Sequence, residues 1–520
     1  MGLTRVWSVA LVGVDGVPVE IEADIGGGKP RTQIVGLPDA ALNEAKDRVR
    51  AATRNSGLLW PDQAITLALS PAALPKGGSG YDLALAVAVQ IADNPAECRP
   101  LSDTVFIGEL ALDGRLRAVR GVLPCLMAAR RSGITRAVVP RSVLPEAALV
   151  RDMAVLGADQ LTEVLRWIRG AEDTLHHPTE SAPRPAPAVP DLSDVVGQQE
   201  GKWALEVAAA GGHNLLFIGP PGAGKSMLAR RLPGILPDLT PEQALEVTAV
   251  HSIVGGLSTD NPLITVPPFI APHHTTSVAA LTGGGVGLAK PGAMSKAHRG
   301  ILFLDEVCEF AADRLECLRT ALEEGEVRLA RRDGIVRYPA ACQVVMATNP
   351  CPCAPIKDRD CMCTAVARRR YLTRLSGPLL DRVDLQIRIP AITAMAPHED
   401  TPETSATVAA RVRAARARAT HRWRENGWHT NAEVPGPALR REFPPPPEAM
   451  VMLDRALATG ALTARGADRC IRVAWTLADL AEAPTPTADH IAAALHFRDR
   501  LTLQPTPSYP THPKSRARYG

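Results

Sequence analysis

The stretch "NLLFIGPPGAGKSMLARRL", residues 214–232, constrains this chain more than any other. A short apolar run leads into Gly-x4-Gly-Lys-Ser, and an amphipathic helical pattern follows. That order asks for a buried strand, a loop with its amides turned outward and a helix opening at the lysine, the build of a parallel α/β domain. The chemistry asks for the same thing. Gly219, Gly222 and Gly224 let backbone N–H groups face phosphates, and the helix N-terminus adds positive potential. Gly219, Pro220, Pro221, Gly222, Ala223, Gly224, Lys225, Ser226 and Met227 are therefore the expected ATP-binding segment. Within it, Lys225 reaches the β- and γ-phosphates and Ser226 ligates Mg²⁺.

A nucleotide site that turns over needs a second strand ending in acids, and "RGILFLDE" supplies one. Asp305 and Glu306 fall at its carboxyl end, the edge at which open α/β sheets bind ligands. Asp305 is expected to hold Mg²⁺ through water and Glu306 to polarise the attacking water. The next strand, "CQVVMATNP", ends in Asn349, a polar side chain placed to orient that water. Beyond a Gly-Pro turn, "SGPLLDRVDL" carries Arg382, suited to an inter-subunit arginine finger. Its plainer alternative is an ion pair with Asp381 or Asp384. Arg465 in "LTARGADR" opens a helix of the C-terminal block, from which a lid would aim it at the nucleotide.

With 520 residues the chain is too long for one core, and its seams are visible. Residues 171–190, "AEDTLHHPTESAPRPAPAVP", are rich in Pro and Ala without apolar periodicity and read as a linker. Residues 1–170 mix strand and helix patterns; 191–395 alternate them; 396–505 turn helical; 506–520 read as a disordered tail. A net charge of +3 announces no bulk affinity for nucleic acid, so such a site must come from local patches. No run approaches the length of a membrane span and the N-terminus lacks a signal-peptide pattern, so a cytoplasmic protein with no membrane partner is expected.

These residues resemble an AAA+ ATPase of the magnesium-chelatase-like branch, and the ComM/YifB family most closely. The resemblance rests on "IVGLPDAALNEAKDRVRAA", "GPPGAGKSMLARRLPGILP", "FIAPHHTTS", "GILFLDEVCEF", "NPCPC", "SGPLLDRVD" and "RVAWTLADL", and spans nearly the whole chain. It implies an α/β fold: an AAA+ P-loop αβα sandwich with a C-terminal helical lid, preceded by an α+β ribosomal-S5/Lon-like domain. It further implies a hexameric ring with ATP between subunits, Asn349 as sensor 1, Arg382 as the finger, Arg465 as sensor 2, and branched or single-stranded DNA as the substrate of a branch-migration helicase. A chelatase-type remodeller of a protein partner is the alternative. The chain departs from the family pattern at Ala293, Ala354 and Trp475, where Glu, Gly and Arg are usual. The first block also resembles the proteolytic domain of Lon proteases, with Ser79 near the nucleophile's place. The base lysine's place falls at about Leu123, so a non-proteolytic domain is expected.

Two segments are candidates for touching DNA. The long insertion before the acidic strand has Gly283-Gly284-Gly285 followed by Lys290, Lys296 and Arg299. "EGEVRLARRDGIVRYPA" reads as a hairpin about Asp333-Gly334 carrying Arg328, Arg331, Arg332 and Arg337, basic groups that follow phosphates without reading sequence. Arg411, Arg418 and Arg422 share one helix face, which reads as a solvated face sooner than a DNA site. His273 and His274, being adjacent, are expected to point apart and to serve loop packing. Finally, Cys351, Cys353, Cys361 and Cys363 crowd into thirteen residues. Their number suits a closed tetrahedral Zn²⁺ site, with free thiols and redox chemistry as the other readings.

Overall fold

The structure, a computed structural model, describes residues 2–74, 76–95, 98–179, 189–285, 289–331, 334–355, 360–375, 377–391 and 402–498. The tail expected to be disordered, the Pro-rich centre of the linker, and Arg332 lie outside the described residues.

Leu215–Ile218 and Ile301–Leu304 are buried at every position, as strands covered on both faces must be. With Phe269–Ile270, Gln343–Thr348 and Leu385–Arg388 they form a five-stranded sheet whose neighbours are all parallel. Its spatial order is 269–270, 301–304, 343–348, 215–218, 385–388. Parallel strands share one carboxyl edge. Because 343–348 lies between 215–218 and 301–304, that edge gathers the glycine-rich loop, Asn349 and the Asp305–Glu306 pair.

Local sequence sets the helix limits. Pro241–Val254 opens with Thr240, whose hydroxyl accepts from the Gln243 N–H while the Gln243 side chain returns to Thr240. Proline at its first position and Gly255 beyond its last complete the pattern. Such a cap contributes roughly 0.5–2 kcal/mol.

Helices Ser405–Trp423 and Ala464–Leu480 of the C-terminal block pack on helix Gln199–Gly211, which itself lies against strands Leu215–Ile218 and Leu385–Arg388, and Pro447–Ala458 and Ala488–His496 pack beside Ala464–Leu480. One apolar cluster runs from Leu215, Phe217 and Phe303 to Trp423, Ile471 and Phe497. Trp475 is a core residue there: it meets Trp423 edge-on, with ring centroids 5.8 Å apart. The basic face of helix Ser405–Trp423 is only partly solvated and is engaged in ion pairs. Arg411 pairs with Glu206 and Glu403, Arg418 with Glu482, and Arg422 with the buried Asp479 while lying 4.3 Å over the Trp475 ring. Periodicity grouped these arginines correctly, but the face they share meets acids of the same chain, two of them buried. The same contacts leave them committed within the fold and not poised for DNA.

The N-terminal block is built on a seven-stranded mixed sheet with the hairpin Gly2–Val12/Asp15–Gly26 at its centre. Helix Ala40–Asn55 starts at Asp39, whose carboxylate accepts from the Leu42 N–H at 2.7 Å. Residues beyond 170 still pack on this block: Leu175 is buried, and His176 and Gly157 exchange backbone hydrogen bonds. The block also docks on the nucleotide-binding half. Glu146 accepts from the Ser252 hydroxyl and from the Leu123 N–H, and Ile253 and Tyr338 pack with Leu11 and Val14. A Cβ on Gly13 would stand 2.5 Å from the Arg337 carbonyl, so only glycine allows this turn to approach the arginine hairpin.

Candidate functional site

The glycine-rich loop follows strand Leu215–Ile218 and feeds helix Lys225–Ala229. Gly222 and Gly224 hold φ of +74° and +89°, which open the loop for its amides to face a ligand. Lys225 is buried, and its ammonium donates to the carbonyls of Gly219 (2.6 Å) and Pro220 (2.9 Å) and to Asn349 Oδ1 (3.1 Å). Burial lowers its pKa, with Asp305 and Glu306 opposing that shift. The Ser226 hydroxyl donates to Asp305 Oδ2 at 2.6 Å, so the two expected Mg²⁺ ligands already face one point. Two hard oxygens converging beside the glycine-rich loop would suit a hard cation such as Mg²⁺, which Ser226 and Asp305 would hold. Glu306 takes a left-handed conformation (φ +50°) that turns its side chain to solvent at the same edge.

Two residues at this edge were not assigned from sequence. His274 Nδ1 lies 3.5 Å from Glu306 Oε2, and the rings of His273 and His274 meet at a tilt with centroids 4.1 Å apart, so the pair does not diverge. The signal was available: these histidines follow the carboxyl end of strand Phe269–Ile270, which belongs to the ligand-binding edge. Gln198 Nε2 donates to the carbonyls of Ala223 and Pro390, tying the loop to the end of the neighbouring strand.

Arg382 and Arg465 are not at this edge. Both line a cleft of about 740 Å³ whose walls include Asn214, Gly300, Gln343 and Asp384. Each of these four stands at or just before the amino end of its strand. The cleft therefore lies across the sheet from the P-loop of the same chain, on the order of 10–15 Å away for strands of this length. Arg382 is ion-paired with Glu323, a partner not foreseen from the sequence, and burial, then Arg319, Arg465 and Arg469, pull its guanidinium below the ordinary arginine value. Arg465 is exposed in the first turn of helix Ala464–Leu480.

Asp384 anchors that wall. It is 2% exposed, accepts from the Asn214 N–H at 3.1 Å and pairs with Arg469. Burial pushes its carboxyl up, but Arg469 and His213 outweigh this and hold it far below the usual carboxylate range. A carboxyl depressed in the fold stabilises it above its unfolded pKa of about 4, and the contribution fades as pH falls. Asp384→Asn should cost about 3–5 kcal/mol by leaving Arg469 uncompensated, read as a lower unfolding midpoint at neutral pH. A midpoint within error of the parent protein would show that the pair carries no net stability.

The two segments expected to meet DNA lie side by side, and each contains a short antiparallel strand pair. Gly283–Gly284 pairs with Lys290–Pro291, and Glu326–Arg331 pairs with Gly334–Pro339. The Tyr338 hydroxyl donates to the Ala289 carbonyl, linking them. Lys290 and Arg337 are exposed and Arg331 is half-buried. Arg328 is engaged by Glu324 and Glu326, Lys296 is half-buried, and Arg299 pairs with Glu246.

In the first block, the Ser79 hydroxyl bonds to Glu109, and Leu123 is buried. Lys76 is buried too, and its ammonium donates to three backbone carbonyls, those of Gly36, Pro71 and Leu74. Its three protons are thereby spoken for.

Comparison with known proteins places these features in one family. Residues 191–396 match the family model for magnesium chelatase, subunit ChlI; residues 21–143 match that for subunit ChlI of Mg-chelatase; residues 402–498 match the ChlI C-terminal model. The competence protein ComM of Haemophilus influenzae is 38% identical over 511 residues, covering 97% of this chain and 99% of its own. The chain belongs to the ComM/YifB family. YifB of Escherichia coli is 40% identical over 512 residues, with 97% and 99% covered. The magnesium-chelatase 38 kDa subunit of Rhodobacter capsulatus is 27% identical over 189 residues, 33% of this chain and 53% of that one. ComM and YifB thus match 97% of this chain, whereas the chelatase subunit matches about a third. Among the described residues no helix is long and apolar enough to cross a membrane.

Proposed function

We propose that this ComM/YifB chain is an ATP-hydrolysing motor that works as a ring, hexameric by family resemblance, and moves branched or forked DNA in the cytoplasm. The family and the site support an ATPase of the magnesium-chelatase and ComM type. One observation carries the ring reading. The acids and the P-loop occupy one edge of the sheet, while Arg382 and Arg465 occupy the other. In this reading a single chain holds two halves of a site facing opposite ways, and a second copy supplies the arginines to the first copy's phosphates.

In this reading the loop 219–227 binds ATP, and Lys225 moves from the loop carbonyls to the β/γ-phosphates while still in reach of Asn349. Mg²⁺, held by Ser226 and Asp305, would neutralise charge on the phosphate oxygens. Glu306 polarises the attacking water, Asn349 orients it, and Arg382 of the adjoining copy stabilises charge on the transferring phosphoryl group. The paired hairpins, through Lys290, Arg331, Arg332 and Arg337, follow the DNA backbone. The first block is a non-proteolytic Lon-like domain that steers the hairpin it touches at Gly13, and the C-terminal helices act as the lid.

The test is the ATPase rate with and without forked DNA, alongside strand displacement. DNA is expected to stimulate turnover. Arg331→Ala with Arg332→Ala should weaken DNA binding, leave basal ATPase intact and flatten the dependence of log K on log[salt] by about 1–2. Absence of both stimulation and unwinding would favour the other reading, a remodeller of a protein partner, to which the chelatase family models point.

A further inference from the structure

We propose that Cys351, Cys353, Cys361 and Cys363 form a closed, single-ion Zn²⁺ site that braces the corner between Asn349 and helix Ala365–Leu372. Cys351 Sγ lies 3.4 Å from Cys353 Sγ and 3.5 Å from Cys361 Sγ, and Cys353 Sγ lies 3.6 Å from Cys361 Sγ. The four sulfurs all fall within 4.8 Å of one another. Zinc–thiolate bonds of 2.3 Å at tetrahedral angles separate ligand sulfurs by about 3.8 Å, close to the spacing found. Disulfides arrange sulfurs in bonded pairs about 2 Å apart; here they surround a common point. Nor is this an apolar cluster, because Cys351 is buried, Cys353 is exposed, and Cys361 and Cys363 are intermediate. Such a gradient fits a metal knuckle at a surface and not a set of small hydrophobes.

The backbone supports convergence. Ala354 N–H donates to the Cys351 carbonyl at 3.2 Å, closing a tight turn that carries Cys351 and Cys353 on one side. Ala354 sits at φ +45°, a conformation that costs a residue with a Cβ about 1–2 kcal/mol and so needs support from its surroundings. The second pair ends at Cys363, next to Thr364, which caps the following helix by accepting from the Ala367 N–H. Four thiolates leave no open coordination position, so the ion is structural.

Position gives the site its role. Asn349 stands two residues before Cys351, and its Oδ1 accepts from Lys225. After the helix, Arg374 donates to the Cys308 carbonyl at 2.9 Å, pinning the segment's far end beside the acids. A metal at the cysteines would tie the first of these ends to the second and hold Asn349 opposite the P-loop lysine. This inference stands on the cysteine geometry alone and does not depend on what the motor moves.

Full-length protein purified without chelators should hold one zinc per chain by elemental analysis. The four cysteines should resist a thiol reagent until a mercurial releases the metal. Cobalt added to zinc-depleted protein should give the intense ligand-field bands of tetrahedral thiolate coordination. Cys353→Ser with Cys363→Ser should abolish both signals, whereas Cys98→Ser should leave them unchanged. Zinc-depleted wild type should show faster amide exchange across residues 349–375 while binding ATP as before, which reports on the brace even where the double variant misfolds. Four freely reactive thiols with no zinc, oxidised pairs resistant to reagent, or iron in place of zinc would each overturn the proposal.

Discussion

Glu306→Gln is expected to leave a protein that binds ATP as tightly as the parent and turns it over about 10²–10⁴-fold more slowly. Glutamine keeps the size and the left-handed backbone of this position but cannot accept a proton from water. The loop amides, Lys225 and Ser226 are untouched, so affinity for a fluorescent ATP analogue should not change. Steady-state phosphate release reads the chemical step. Glu306 faces His274 at 3.5 Å, and replacing the carboxylate by an amide alters that contact as well. Loosening of the His273–His274 loop should therefore accompany the rate loss without reproducing it. Turnover within threefold of the parent would remove Glu306 from the chemistry and leave Asp305 or an unassigned group as the base.

The parts of the site that were legible in sequence are those whose chemistry is local. Gly219–Met227 and Asp305–Glu306 announce themselves because a strand, a sharp turn and the next helix are consecutive in the chain. Asn349 could be placed because it also ends a buried strand. What was not legible depends on strand order. Nothing in "SGPLLDRVDL" says that strand Leu385–Arg388 is parallel to its neighbour, yet that pairing puts Arg382 across the sheet from Lys225. The arginines of helix Ser405–Trp423 fail for a related reason. Spacing of seven and four puts Arg411, Arg418 and Arg422 on one stripe, but only the packed fold shows Glu206, Asp479 and Glu482 opposite them. His274 lay in between: its strand edge was inferable, its contact with Glu306 was not.

Arg382→Ala should reduce ATP turnover by about 10³–10⁵-fold, the range associated with loss of an arginine finger. Loss of a rate alone does not say whose phosphate the arginine serves, since removing the partner of Glu323 could disturb its own subunit. Geometry supplies the sharper test. If the cleft is presented to a neighbour, each active interface combines Glu306 of one chain with Arg382 of another. Arg382→Ala chains retain Glu306, and Glu306→Gln chains retain Arg382. Co-assembling the two inactive proteins should then create some interfaces with both groups intact and restore a substantial fraction of turnover. Neither protein alone can do so at any concentration. Were Arg382 to act within its own chain, every chain in the mixture would lack one essential group and mixing would restore nothing. Recovery that depends on the mixing ratio therefore reports the opposed edges of the sheet directly. A mixture as inactive as its components, under conditions where both proteins assemble, would return Arg382 to the structural role that its pairing with Glu323 already allows.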